Sequence, residues 1–219
     1  MVQLALDLLQ PPQPQLDNFV AGRNAEALAA VQALAAGRSA ERCLYLWGSS
    51  GCGRTHLARA LRAVGGWDWR AADDPERPGL ALLDGVEALD AQAQVALFNR
   101  LNTVRADTRC AIVVTGDEAP ARLALREDLR TRLGWGLAYQ LQPLSDDEKH
   151  AALRGHAAAR GVQVAEDLLP YLLRHLPRDL PTLTAALDAL DRFALARQRA
   201  LTVPLFKEWL AQAGAAPPP

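Results

Sequence analysis

The sequence predicts an α/β base, a parallel sheet flanked by helices, followed by a small all-helical lid. Three observations carry this reading. The run Gly48-Ser49-Ser50-Gly51-Cys52-Gly53-Arg54-Thr55 follows an apolar stretch, Cys43-Leu44-Tyr45-Leu46-Trp47, and precedes a helical pattern over 56–61, which is the strand, loop and helix context of a phosphate-binding loop. Apolar runs recur at 80–84, 111–115 and 137–141 with helical patterns among them, as expected of parallel strands joined by crossover helices. Beyond Pro143 the pattern is wholly helical.

Taken in order, residues 1–18 read as a flexible tail in which Gln3-Leu4-Ala5-Leu6-Asp7-Leu8 precedes a proline-rich linker at 10–15. The base, 19–143, begins at Phe19. Asn24 stands as the N-cap of a helix with Leu28, Val31 and Leu34 on one face and Gly37 at its end. The strand at 80–84 closes on Asp84, where an acid can hold magnesium opposite the loop's hydroxyl. Asp90 caps a helix whose Leu97, Leu101 and Val104 recur at helical spacing. Between Gly65 and Leu80 stand only Trp67-Asp68-Trp69-Arg70 and a loop at 71–79, too little chain for a crossover helix, so at most a short edge strand and a tight loop are expected there. In the lid, 144–214, Ser145 and Glu148 form a capping box, and Pro181 opens a helix striped by Leu183, Leu187, Leu190 and Ala194. A last helix is expected over 204–214, and 215–219 reads as a frayed tail.

Half of the 219 residues are apolar, enough to bury a core. The net charge of −1, with acids and bases interspersed, gives no global pull toward nucleic acid or membrane, so any contact with DNA is expected through a partner. Cys43, Cys52 and Cys110 are odd in number and lack paired spacing, which suits buried thiols in a reducing compartment. The four histidines show no metal-ligand spacing. No basic residue precedes Arg23, and Asp7 and early prolines break the N-terminal apolar residues, so neither a signal peptide nor a membrane span is predicted and the expected location is cytoplasmic.

The glycines of the loop let its backbone curl so that N–H groups and the following helix N-terminus point at phosphate oxygens. Candidate nucleotide contacts are therefore Gly48, Ser50, Gly51, Cys52, Gly53, Arg54, Thr55 and His56, with Thr55 and Asp84 as magnesium ligands and ADP or ATP with Mg²⁺ as the expected cofactor. Arg54 occupies the position where lysine is usual and spreads its charge over a planar fork. Asp84 is followed by Gly85 rather than by a second acid, and Glu87 stands three residues along, so hydrolysis by this site is expected to be slow.

The phosphate loop, the acid-ended strand, the strand end Val114-Thr115-Gly116-Asp117 and the helical lid together resemble an AAA+ module. Phe19-Val20-Ala21-Gly22, Gly53-Arg54-Thr55-His56-Leu57 and Arg130-Thr131-Arg132-Leu133-Gly134-Trp135-Gly136 are similar to the nucleotide domain of the DnaA/Hda family over about residues 16–212. Two features resemble the Hda branch in particular. The sequence is expected to end with the lid, without a helix-turn-helix domain, and residues 3–8 are similar to the peptide by which that branch docks on the DNA polymerase sliding clamp. Taken without the resemblance, Leu4, Leu6 and Leu8 also alternate as an edge strand would.

The resemblance implies roles residue by residue. Gln3, Leu4, Leu6 and Leu8 would contact the clamp, Arg178 would be the lid arginine that reads the phosphates, and Thr115 or Asp117 the strand-end sensor. Arg132 would be a finger acting in trans on the ATP of DnaA, against the alternative of a surface salt bridge within the basic stretch 122–132. The short 66–79 region departs from the family pattern, which speaks against direct DNA binding and against a filament of this protein alone. The expected function is a regulator of replication initiation with the clamp and DnaA as partners, no membrane association, and self-association left open. An autonomous ATPase acting as a helicase or clamp loader, or an adaptor that binds no nucleotide, are the alternatives.

Overall fold

The structure, a computed structural model, describes residues 12–67 and 79–212. The leucine peptide at 3–8, segment 68–78 and residues 213–219 lie outside the described residues, as do the sequence expectations that fall on them. The chain divides into two compact units, residues 14–143 and a helical unit from Leu144 onward.

In the first unit β1 (Cys43–Trp47), β2 (Leu80–Leu83), β3 (Ala111–Gly116) and β4 (Leu137–Gln140) form one parallel sheet in the order β2-β3-β1-β4. Leu44 of β1 lies opposite Val113 of β3 and Leu137 of β4, and Leu82 of β2 also lies opposite Val113. Beyond β2, Trp67 makes a single parallel bridge to Leu80, where the sequence predicts edge pairing. Side chains alternate along each strand, so the sheet has two apolar faces. Leu44, Leu46, Leu82 and Val113 pack with Val31 and Leu34 of α1 (Ala25–Ala35) and Leu57 and Leu61 of α2 (Arg54–Val64). Tyr45, Ile112 and Val114 pack on the other side with Leu97 and Leu101 of α3 (Ala91–Ala106) and Leu129 and Leu133 of α4 (Glu127–Leu133).

The helix ends follow local chemistry. Asp90 accepts from the Ala93 N–H at 2.8 Å and starts α3 as its sequence position predicts. After α1, Gly37 at φ 67° and Arg38 return N–H groups to the Leu34 and Ala33 carbonyls, satisfying the last turn. Asn24 corrects the sequence expectation. It precedes α1 but makes no side-chain cap; its buried amide instead accepts from the Gln142 N–H at 2.7 Å and donates to the Gln142 carbonyl at 2.8 Å. A pairing across 118 residues outcompetes the local cap because it satisfies both backbone groups of Gln142 at once.

The second unit holds α5 (Asp146–Ala159), α6 (Leu168–His175), α7 (Leu180–Arg197) and α8 (Val203–Gln212). The capping box is present in full: Ser145 Oγ accepts from the Glu148 N–H, and Glu148 accepts from the Ser145 N–H at 2.7 Å. Pro181 sits in the first turn of α7, where Asp179 caps the Thr182 N–H. Leu153, Leu172, Leu183, Leu187, Leu190, Leu205 and Phe206 build its core. No described helix is long and apolar enough to cross a membrane.

Candidate functional site

The phosphate loop leaves β1 at the carboxyl edge of the sheet, where ligands of open parallel sheets sit. Gly48 donates its N–H to the Gly116 carbonyl at 3.3 Å, fixing the loop's start against the end of β3. Gly53 has φ 103°, a backbone conformation side chains resist, and an added Cβ would lie 2.6 Å from Phe19 Cε2. The loop therefore needs glycine both for its turn and for the ring packed on it. The α2 N-terminus that follows carries no side-chain cap, leaving its first-turn N–H groups to an anion. Ser50, Gly51 and Thr55 are exposed, Cys52 is buried, and Arg54 and His56 are partly covered. His56 Nε2 lies 3.0 Å from the Gln15 carbonyl and its ring meets Phe19 edge-on at 5.4 Å between centroids. Burial lowers the His56 pKa, only partly countered by the Gln15 contact.

Thr115, fully buried, donates to Asp84 Oδ1 at 2.6 Å and accepts from the Gly85 N–H at 2.9 Å. The threonine at the end of β3 thus orients the acid at the end of β2, while Asp117 stands exposed just beyond. Among the described residues no cluster of three or more His, Cys, Asp or Glu could hold a metal unaided. The donors present, the Thr55 hydroxyl and the Asp84 carboxylate, are hard oxygens that suit Mg²⁺ completed by phosphate and water. A loop with an uncapped helix N-terminus and these oxygens fits a nucleoside phosphate.

Glu87, set aside in the sequence as too far along, lies at the loop. Gly85 at φ 86° turns the chain into a short 3-10 segment, Val86–Ala88, and brings Glu87 Oε1 to 3.5 Å from Arg54 Nη1. A glycine directly after the acid is the signal that could have shown it. Beneath, Tyr45 donates to the Glu118 carbonyl at 2.6 Å. Burial first, and then the Glu87 charge, raise its pKa, so the hydroxyl stays protonated.

Arg132 lies on α4, away from this loop. Its Nε donates to Asn102 Oδ1 at 2.8 Å, and its guanidinium stacks 3.7 Å from the Phe98 ring centroid and 4.8 Å from that of Trp135. Among the described residues it has no carboxylate within ion-pair distance, which corrects the salt-bridge alternative. It lines a cavity of about 520 Å³ with Arg42, Cys43, Arg105 and Trp135. Cys43 begins β1, whereas the phosphate loop follows its end, so this cavity opens at the opposite edge of the sheet. Burial, with Glu41 adding to it, pushes the Cys43 thiol up to about 12. Arg178 belongs to the helical unit, where it is exposed and its Nη1 lies 3.4 Å from Asp146 Oδ2.

Residues 146–210 match the family described as the Hda lid domain. The fold is that of domain III of the Thermotoga maritima replication initiation protein DnaA, with a TM-score of 0.68 at 20% identity, covering 93% of this chain and 98% of that one. The helical unit is thus similar to the Hda lid domain, and the chain shares the fold of DnaA domain III. AMPPCP-bound DnaA from Aquifex aeolicus gives a TM-score of 0.65 at 22% identity over 84% of this chain and 67% of that chain. The RuvB Holliday junction branch migration motor of Thermotoga maritima gives 0.63 at 14% identity, over 92% and 72% of the two chains, so the fold is shared beyond DnaA. Glu87, Phe98 and Asn102 are the residues that the structure adds to the loop and to Arg132.

Proposed function

We propose that this protein is a nucleotide-held regulator of replication initiation that docks on the DNA polymerase sliding clamp and promotes hydrolysis of DnaA-bound ATP. The observation that carries the reading is the setting of Arg132: a cation without a carboxylate partner among the described residues, fixed by Asn102 and two aromatic rings at the edge opposite its own phosphate loop. β1 spans four residue steps between that cavity and the loop, roughly 13 Å at ~3.3 Å per step, so Arg132 serves another molecule's nucleotide and not its own.

The chain's own groups divide the work. The loop N–H groups, Arg54 and Thr55 hold a nucleoside phosphate, preferentially a diphosphate, and Asp84, oriented by Thr115, completes the Mg²⁺ site. When bound, the nucleotide with its metal supplies binding energy that fixes the folded base. Turnover here is slow because Gly85 follows Asp84 and the Glu87 carboxylate is engaged by Arg54. Arg132 offers a planar, preoriented charge to phosphoryl oxygens whose negative charge grows in the partner's transition state. Leu4, Leu6 and Leu8 insert into a pocket of the clamp while Gln3 makes polar contacts beside it, so contact with DNA is indirect and the protein works in the cytoplasm. The test is ATP hydrolysis by DnaA reconstituted with clamp and DNA: the parent stimulates it, and Arg132→Ala removes the stimulation. Equal stimulation by Arg132→Ala would remove the mechanism.

A further inference from the structure

We propose that Glu87 is a specificity-determining residue of the nucleotide site, a carboxylate that occupies Arg54 and thereby selects a nucleoside diphosphate over a triphosphate. This rests on the nucleotide-binding reading above and assigns its selectivity to one residue.

The position of Glu87 is built in three steps. Gly85 adopts φ 86° and ψ 69°, which turns the chain immediately after Asp84. Val86 is then fully buried in the core beneath, so the short 3-10 segment cannot rotate without withdrawing it. Glu87 is consequently held on the rim, its Oε1 3.5 Å from Arg54 Nη1. The Arg54 side chain is only 18% exposed, so its pairing is set by these neighbours more than by solvent.

Arg54 stands where the loop places its cation for the terminal phosphates. In this chain that cation already has a carboxylate. The surroundings do not replace it: Asp84, Asp117 and Glu118 also stand at the strand ends, and Glu87, Asp117, Arg54 and Glu118 are all close enough to act on the Tyr45 hydroxyl. A third phosphoryl group brings about one more negative charge to Arg54, where it must displace Glu87 or share the cation with it. Two like charges within several ångströms at a partly covered site shift an equilibrium by about tenfold or more. A diphosphate makes a smaller demand on the same cation.

The experiment is calorimetric titration of the full chain with ADP and with AMPPCP, both with Mg²⁺, for the parent, Glu87→Gln and Asp117→Asn. Glutamine keeps the size of Glu87 and removes its charge. The parent is expected to bind ADP about tenfold or more tightly than AMPPCP. Glu87→Gln is expected to shrink that ratio about tenfold, chiefly by tightening AMPPCP, and Asp117→Asn to shrink it less. A parent that binds both nucleotides equally, or a ratio unchanged in Glu87→Gln, overturns the assignment. A larger effect of Asp117→Asn overturns it as well by moving the selectivity to the strand end. A parent that binds neither nucleotide overturns the nucleotide-binding reading itself, a result distinct from an altered ratio.

Discussion

Replacing Thr115 by valine keeps the shape of a fully buried side chain and removes one oxygen, which makes it a clean test of how Asp84 is held. The oxygen serves two partners, Asp84 Oδ1 at 2.6 Å and the Gly85 N–H at 2.9 Å. The first is a hydrogen bond to a charged group, worth about 1.5–3 kcal/mol, and the second loss leaves a donor unsatisfied at about 1–3 kcal/mol. The added methyl group recovers about 0.8 kcal/mol. The net loss is about 2–5 kcal/mol, which lowers Tm by roughly 4–20 °C for a chain of this size. Asp84 would also lose its fixed rotamer, so the gain in ADP affinity on adding Mg²⁺ should shrink. Thermal unfolding, together with ADP titrations with and without Mg²⁺, reads both effects. A loss under about 1 kcal/mol with unchanged Mg²⁺ dependence would refute the reasoning, since Thr115 would then be a bystander.

Arg132→Lys keeps a positive charge near Phe98 but loses the fork and the Nε bond to Asn102, so stimulation of DnaA ATP hydrolysis should fall by about 10²-fold or more, checked in the reconstituted assay. Gln3→Ala combined with Leu6→Ala should abolish binding to immobilised clamp while ADP affinity is retained, because each leucine contributes roughly 1.5–3 kcal/mol when buried. His56 has a pKa lowered by burial below its ordinary 6.5, so the unfolded chain binds the proton more readily. Its contribution to stability is present above pH 6.5 and is lost as pH falls toward the folded value. His56→Gln should flatten that part of the stability–pH curve in chemical denaturation, and an unchanged curve would count against a buried neutral imidazole.

The sequence by itself determined what is local. The strand positions, the phosphate loop between β1 and α2, the Asp90 cap and the Ser145 and Glu148 box each depend on neighbours within a few residues, and each stands in the structure where the residues put it. Short polar α4 was not legible as a helix, and α6, within the stretch read as wholly helical, was not delimited, because seven- and eight-residue helices are marginal alone and form by packing Leu129, Leu133, Leu168 and Leu172 into their cores. Tertiary structure alone decided the working contacts of the site. Arg54 meets Glu87 across 33 positions, Thr115 meets Asp84 across 31, and Arg132 meets Asn102 across 30. Asn24 abandons its expected cap for Gln142, 118 residues away. The strand order β2-β3-β1-β4 lays the ends of separated strands side by side, so it decides which side chains share an edge. No periodicity within one segment encodes that adjacency, because it arises only when buried faces from distant parts of the chain close on a common core.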